Sequence, residues 1–258
     1  MTPGAPTPGE TTLDRLAGTW KILQLRDGHR FSADDMLVAW LAARVAPEAQ
    51  RLLDLGAGIG SVGLMTLWAL EDRAPSRNRT LTMLEAQTVS HDLSMASVSR
   101  NGLQARVTGF VGDLRAPLPF EGSFDLITGS PPYFPLGTGK VSPHPQKAAC
   151  RMELRGTIAD YAMAARGVVG DGWFVACFPA RDPRGERAFA PAGLTVHTTC
   201  DVTFREGMGP MIRLYAVRAL PGPTINLPGL TIRQADGRWT PDYLRVRAEM
   251  GSPMDPLP

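Results

Sequence analysis

Ser130-Pro131-Pro132-Tyr133 is the segment of this chain whose residue types most directly suggest chemistry, and it follows a short apolar run, Phe124 to Thr128. Two successive prolines restrict the backbone and remove two N–H donors, so that a carbonyl can be presented rigidly. The Ser130 hydroxyl and the Pro131 carbonyl are then two acceptors that can be aimed at the hydrogens of one amino group. An aromatic amine is a poor nucleophile because its lone pair is delocalised into the ring. Acceptors on its hydrogens favour a pyramidal nitrogen and stabilise the positive charge that grows during alkylation, with no strong base required. Tyr133 is the expected stacking surface for the amine's ring. Ser130, Pro131 and Tyr133 are therefore the candidate catalytic residues.

An alkyl donor needs its own binding loop, and Asp54-Leu55-Gly56-Ala57-Gly58-Ile59-Gly60 has the form of one. Gly56, Gly58 and Gly60 allow a tight turn and close approach of a ligand to the backbone. The G-x-G-x-G spacing differs from that of dinucleotide enzymes, where the third glycine sits one residue later. S-adenosylmethionine (SAM) has no pyrophosphate to cradle, and its cationic amino group favours a carboxylate such as Asp54. Glu85 ends the next apolar run and is placed to accept the two ribose hydroxyls of such a cofactor. Asp113, after Gly112, ends the one following and could meet the adenine amino group. Three acidic residues at successive strand ends converge on one crevice, which favours SAM as the cofactor.

The elements needed to position these residues are readable as an alternation. Trp20 to Leu25 reads as a strand with a turn at Asp27-Gly28, and Ser32 as the cap of a helix running to Ala46. Strands are expected at residues 51–55, 81–84, 106–111, 124–128 and 173–178. Helices are expected after the glycine loop through Leu70, from about Thr88 to Asn101 and from about Thr157 to Val169. A loop rich in Gly, Pro and Lys is expected after Tyr133. Residues 195–204 and 211–218 are expected to pair as antiparallel strands. This rhythm implies an α/β fold: a doubly wound, seven-stranded, mostly parallel Rossmann-like sheet with antiparallel last strands. Residues 1–12 read as a disordered tail, 13–220 as the catalytic domain with a short N-terminal extension, and 221–258 as a C-terminal appendage packed on it. Within the appendage, residues 230–250 suggest a strand, a turn and a helix.

Composition narrows the function classes. No stretch approaches the roughly 20 apolar residues of a membrane span, and Met1 to Glu10 has no apolar run of the secretory kind. Cys150, Cys177 and Cys200 are odd in number and form no CxxC pair, so neither a disulfide framework nor a metal site is expected, and a cytoplasmic setting fits. The net charge of +2 does not announce a nucleic-acid partner. Lys140, His144, Lys147, Arg151 and Arg155 nonetheless form a basic stretch that either faces phosphate or is simply a solvated loop.

With these residues in view, the chain resembles the SAM-dependent amino-methyltransferases that carry (N/D/S)PP(Y/F/W). It is more closely similar to the bacterial valine-tRNA (adenine-37) N6-methyltransferase family. The similarity lies in Leu23-Gln24-Leu25 through Gly28-His29-Arg30-Phe31-Ser32-Ala33-Asp34-Asp35, in Asp54 to Gly60, in Phe124 to Phe134, in Arg151-Met152-Glu153 and in Thr240 to Tyr243. The resemblance implies methyl transfer to N6 of an unpaired adenine in tRNA. It also implies that Arg30, Phe31 and Asp35 border the methionine end of SAM and that Arg151 lies on the substrate side; Tyr133, Phe134, Lys140 and Lys147 are the other candidate substrate-binding residues. Ser130 departs from the family's usual Asn, and Ser at this position is familiar from DNA cytosine-N4 enzymes. The alternatives are protein glutamine N5-methylation of the release-factor type, DNA adenine-N6 or cytosine-N4 methylation, and a binding module that kept the fold and lost the chemistry.

Overall fold

The computed structural model describes residues 9–75, 78–138 and 142–252. The chain opens with an antiparallel hairpin, β1 (Thr11–Ala17) and β2 (Trp20–Leu25). Thr11 and Thr12, expected in the tail, instead pair with Leu25 and Gln24, and residues 1–8 lie outside the described residues. Helix α1 (Ala33–Val45) follows Ser32, whose N–H donates to the Asp35 carboxylate at 3.1 Å, one half of a capping box.

The alternating region then runs β3 (Arg51–Leu55), α2 (Ser61–Arg73), β4 (Thr80–Glu85), α3 (Thr88–Arg100), β5 (Val107–Val111) and β6 (Leu126–Gly129). A short helix, α4 (Pro145–Arg151), lies where only a loop was expected. Pro145 in its first turn is the local signal, since proline's fixed φ suits that position. The chain continues through α5 (Ile158–Val168), β7 (Trp173–Pro179), α6 (Pro183–Arg187), β8 (Thr195–Arg205) and β9 (Ile212–Arg218). It closes with β10 (Ile225–Asn226), β11 (Leu230–Arg233) and α7 (Pro241–Glu249).

Strands β3 to β7 are mutually parallel, in the order β5-β4-β3-β6-β7, and β9 then runs antiparallel between β7 and β8. The expected seven strands are thus present as β3 to β9. The sheet is nevertheless nine-stranded, because β10 and β11 both add to β8 in parallel. The C-terminal segment therefore extends the main sheet as well as packing beside it.

Strand alternation divides the core between the two sheet faces. Leu52, Val175 and Cys177 join α1, α2 and α7 on one face, whereas Leu53, Phe174, Ala176 and Phe178 join α5 on the other. The hairpin is tied to α3: the Lys21 N–H donates to Asn101 Oδ1 and the Leu23 N–H to Ser97 Oγ, each at 2.9 Å. These bonds satisfy the free edge of β2 and give the serine-rich face of α3 a structural purpose.

Successive strands are added from β3 outward through β4 to β5, and the chain then returns to place β6 on β3's other side. Ligands of doubly wound sheets bind outside the strand ends at this reversal. Here Leu55 of β3 lies in register with both Leu84 of β4 and Gly129 of β6. The glycine loop, Glu85 and the Ser130 tetrapeptide consequently leave the sheet side by side.

Candidate active site

A cavity of about 480 Å³ opens at this reversal, within the range of small-molecule sites. Its walls include Asp54, Gly56 and Gly58 from the glycine loop, Glu85 from β4, and all four residues from Ser130 to Tyr133. The two motifs singled out for donor and acceptor thus face one space.

Gly56 and Gly58 adopt left-handed φ angles of 61° and 55°. A side chain on Gly56 would run into the Tyr161 hydroxyl, while one on Gly58 would meet no atom within 4 Å. Glu85 reinforces the loop: its Oε2 accepts from the Gly58 N–H at 2.8 Å and its Oε1 from the Gln87 N–H at 2.7 Å. Asp54, 1% exposed, takes a hydrogen bond on each oxygen, from the Gly63 N–H at 2.9 Å and from Thr128 Oγ1 at 2.7 Å. It therefore locks the start of α2 to β3 and β6.

The cavity is strongly acidic at this end. Burial pushes Asp54 up to about 7; repulsion from Asp35 and Glu85 adds to this, against the bonds from Thr128 and Gly63. Asp35 is also pushed up to about 7, by burial and then by Asp34, while its carboxylate accepts from Ser32 N–H and from Ser61 Oγ at 3.2 Å. Glu85 and Asp34 are raised as well, again mainly by burial. Arg151 and Arg155 also line the cavity, and Arg155 partly offsets the burial of Glu85, but the four carboxylates of Asp34, Asp35, Asp54 and Glu85 outnumber them, so a positively charged ligand fits this chamber. The open space before Gly58, the place of Glu85 in the lining at the end of β4 and this excess of carboxylates all suit SAM.

Tyr133 is held from several sides. Its hydroxyl donates to Asp34 Oδ2 at 2.8 Å and lies 3.0 Å from Cys177 Sγ, and its ring packs edge-on against Phe178 at 5.9 Å. The Arg184 guanidinium donates to the Tyr133 carbonyl at 3.3 Å, pairs with Glu153 at 2.6 Å and sits over the Phe178 ring. Phe134 is half exposed at the mouth; its N–H donates to the Arg151 carbonyl and its carbonyl accepts from the Glu153 N–H. Arg151 lines the cavity and places its guanidinium 5.7 Å from the Phe134 ring centre. The Arg-Met-Glu stretch is thus strapped to the tetrapeptide.

Several expected residues lie off the cavity. Arg30 turns away, donating to Thr12 Oγ1 at 2.8 Å and pairing with Asp14 at 2.9 Å. Phe31 packs into the core under the hairpin, and its N–H donates to Oε1 of the buried Gln24. Asp35 does line the cavity. Gly60, with φ 86°, serves packing, since a Cβ there would press on Met83 and Ser94 at 3.2 Å. The Asp113 carboxylate is occupied by the Arg115 backbone and guanidinium, at 2.6 Å for the closest pair, and its neighbours Gly112 and Leu114 line the cavity in its place. Lys147 is on α4 and not in the lining, although it and Arg151, after burial, hold the His29 imidazole below its ordinary pKa. Lys140 lies outside the described residues.

Asp34 in the lining, and Cys177 and Gln146 buried behind it, escaped the sequence reading. Asp34 neighbours the chosen Asp35, and only the rotation of α1 decides which of them meets Tyr133. Cys177 is on β7, and Gln146 on α4 accepts from the His29 N–H at 2.7 Å. No spacing rule flags a cysteine inside an apolar strand or a glutamine in an unrecognised helix. Among the described residues, no group of His, Cys, Asp and Glu is arranged to hold a metal, and no helix is long and apolar enough to cross a membrane.

Comparison with known proteins agrees with this geometry. Residues 31–141 match the model of the methyltransferase small domain. The chain is 28% identical over 213 residues to the tRNA1(Val) (adenine(37)-N6)-methyltransferase of Cronobacter sakazakii, covering 81% of this chain and 82% of that protein. The protein of the same description from Tolumonas auensis is 26% identical, with 83% and 86% covered. The release factor glutamine methyltransferase of Bordetella pertussis is 32% identical, but over 121 residues, 47% of this chain and 39% of that one. In fold, the chain is similar to an Agrobacterium tumefaciens structure described as a predicted O-methyltransferase, with a TM-score of 0.60, 18% identity and coverage of 85% and 97%. The chain is a SAM-dependent methyltransferase of doubly wound α/β fold, similar over about four-fifths of its length to bacterial tRNA1(Val) (adenine(37)-N6)-methyltransferases.

Proposed function

We propose that this methyltransferase modifies an exocyclic amino nitrogen, N6 of an unpaired adenine in tRNA. The observation that carries the reading is that Ser130-Pro131-Pro132-Tyr133 and the glycine loop wall the same cavity. The bound cofactor supplies an electrophilic methyl on a sulfonium. Glu85 holds the ribose, and the carboxylates of Asp35 and Asp54 balance the cofactor's positive charge. The Ser130 hydroxyl and the Pro131 carbonyl accept the two amine hydrogens and direct the nitrogen lone pair inward. As the new N–C bond forms and the methyl–sulfur bond breaks, S-adenosylhomocysteine would leave and the methylated nitrogen, now acidic, would give up one proton to solvent. Tyr133, fixed by Asp34, offers a ring face to the adenine. Phe134 and Arg151 contact the adjoining nucleotides at the mouth, and Lys147 on α4 is the cation assigned to phosphate. The adenine must leave its stack to enter, so a loop nucleotide is the accessible target.

The similarity to tRNA enzymes over about four-fifths of the chain supports RNA over the alternatives. Methylation of a release-factor glutamine remains the second reading, on the strength of the 32% identity to such an enzyme. The deciding experiment offers labelled SAM with tRNA, ribosomal RNA, DNA and release factor in parallel, followed by mass spectrometry of the digested products. Label in tRNA recovered as N6-methyladenosine is expected. Label confined to release factor or DNA would overturn the proposal.

A further inference from the structure

Ser130 poses a problem that an asparagine would not. An amide oxygen only accepts hydrogen bonds, whereas a hydroxyl can also donate, and a donated hydrogen aimed at the substrate amine would oppose the reaction. Four side chains on one wall resolve this ambiguity. Cys177, fully buried on β7, places its Sγ 3.8 Å from Ser130 Oγ and 3.0 Å from the Tyr133 hydroxyl, which in turn lies 2.8 Å from Asp34 Oδ2.

We infer that Asp34 and Cys177 are positioning residues which, through Tyr133, fix the Ser130 hydroxyl as a hydrogen-bond acceptor toward the substrate amine. The inference rests on the amino-methylation reading of the same site. Its logic is a count of hydrogens. An ionised Asp34 has none to give, so the single hydroxyl hydrogen of Tyr133 is spent on it. The Tyr133 oxygen can then meet Cys177 only as an acceptor, which spends the thiol hydrogen. The sulfur is left as an acceptor, and the Ser130 hydrogen points at it. The lone pairs of Ser130 Oγ are therefore free to face the cavity. Among the described residues, the Cys177 sulfur is the one hydrogen-bond partner of the Ser130 hydroxyl. Burial raises the Asp34 carboxyl overall and the Tyr133 bond offsets part of that, so the chain is set in this sense once Asp34 is ionised. Such chains act as units, so loss of any link is felt at the far end.

The test compares kcat, the KM for RNA and SAM affinity across variants of the full chain. Cys177→Ala is expected to lower kcat about tenfold, less than the loss of a direct transition-state contact. Its SAM affinity and KM should stay within about twofold of the wild type, and Cys177→Ser should recover most of the rate. Tyr133→Phe keeps the ring but cuts the chain, so it should lower kcat similarly, and the two losses should not multiply when combined. In a Ser130→Asn background, Cys177→Ala should cost little, because an amide oxygen has no hydrogen to direct. An unchanged kcat in both Cys177→Ala and Tyr133→Phe would overturn the inference, as would an equal loss from Cys177→Ala in both backgrounds. A wild-type enzyme that methylates no amine would instead remove the proposed function, and this inference with it.

Discussion

Lowering the pH from about 8 to about 6 is expected to weaken SAM binding by at least about tenfold. Asp35 and Asp54 are both raised to about 7, chiefly by burial, and both line the cavity. A group titrating near 7 is roughly one-tenth ionised at about pH 6 and nine-tenths ionised at about pH 8. A cationic ligand selects the ionised form, so each carboxyl that must release a proton on binding contributes about tenfold over this interval. The two are mutually repelling and titrate as a pair, giving about tenfold if one proton leaves and about a hundredfold if both do. The sign for folding is opposite. With pKa values raised from 3.8 to about 7, the folded protein binds protons that the unfolded chain has lost. These two groups therefore favour the ligand-free fold below about 4 relative to above about 7, and that advantage is lost as pH rises through the window. Calorimetry in buffers of different ionisation enthalpy measures both the affinity and the protons released. S-adenosylhomocysteine, which lacks the sulfonium charge, should show a shallower dependence. A SAM affinity that is flat across the range, with no proton release, would refute the reasoning.

Glu85→Ala removes the proposed ribose acceptor and the partner of the Gly58 N–H. SAM affinity should fall about tenfold to a hundredfold by calorimetry while RNA affinity changes little. Tyr133→Ala should lose most methyl transfer with SAM binding nearly intact, by about tenfold to a hundredfold in rate if base stacking is its role. RNA affinity should fall steeply with salt, and filter binding should give a shallower slope for a Lys140→Ala/Lys147→Ala double variant.

The parallel sheet was legible because its strands are short apolar runs ending in Gly, Asp or Glu, and because chain order in such folds dictates spatial order. That rule placed Asp54, Glu85 and Ser130 on one edge, where the structure has them. Side-chain direction was not legible. Asp113 sits at a strand end as expected, but Arg115 two residues later captures its carboxylate. Arg30 is drawn to Asp14 of the hairpin, a partner sixteen residues away that periodicity does not reveal. The contribution of Cys177 depends on a three-dimensional contact between β7 and the tetrapeptide, for which strand alternation alone offers no sign. β11 was foreseen as a strand, yet its pairing with β8 arises from tertiary closure.

The most direct test of the central claim is a crystal structure with S-adenosylhomocysteine bound. The ribose hydroxyls are expected on Glu85, with the sulfur facing the Ser130 hydroxyl and the Pro131 carbonyl across a gap wide enough for one methyl group and an amine. A ligand bound elsewhere, or bound here with its sulfur turned away from that pair, would contradict the account.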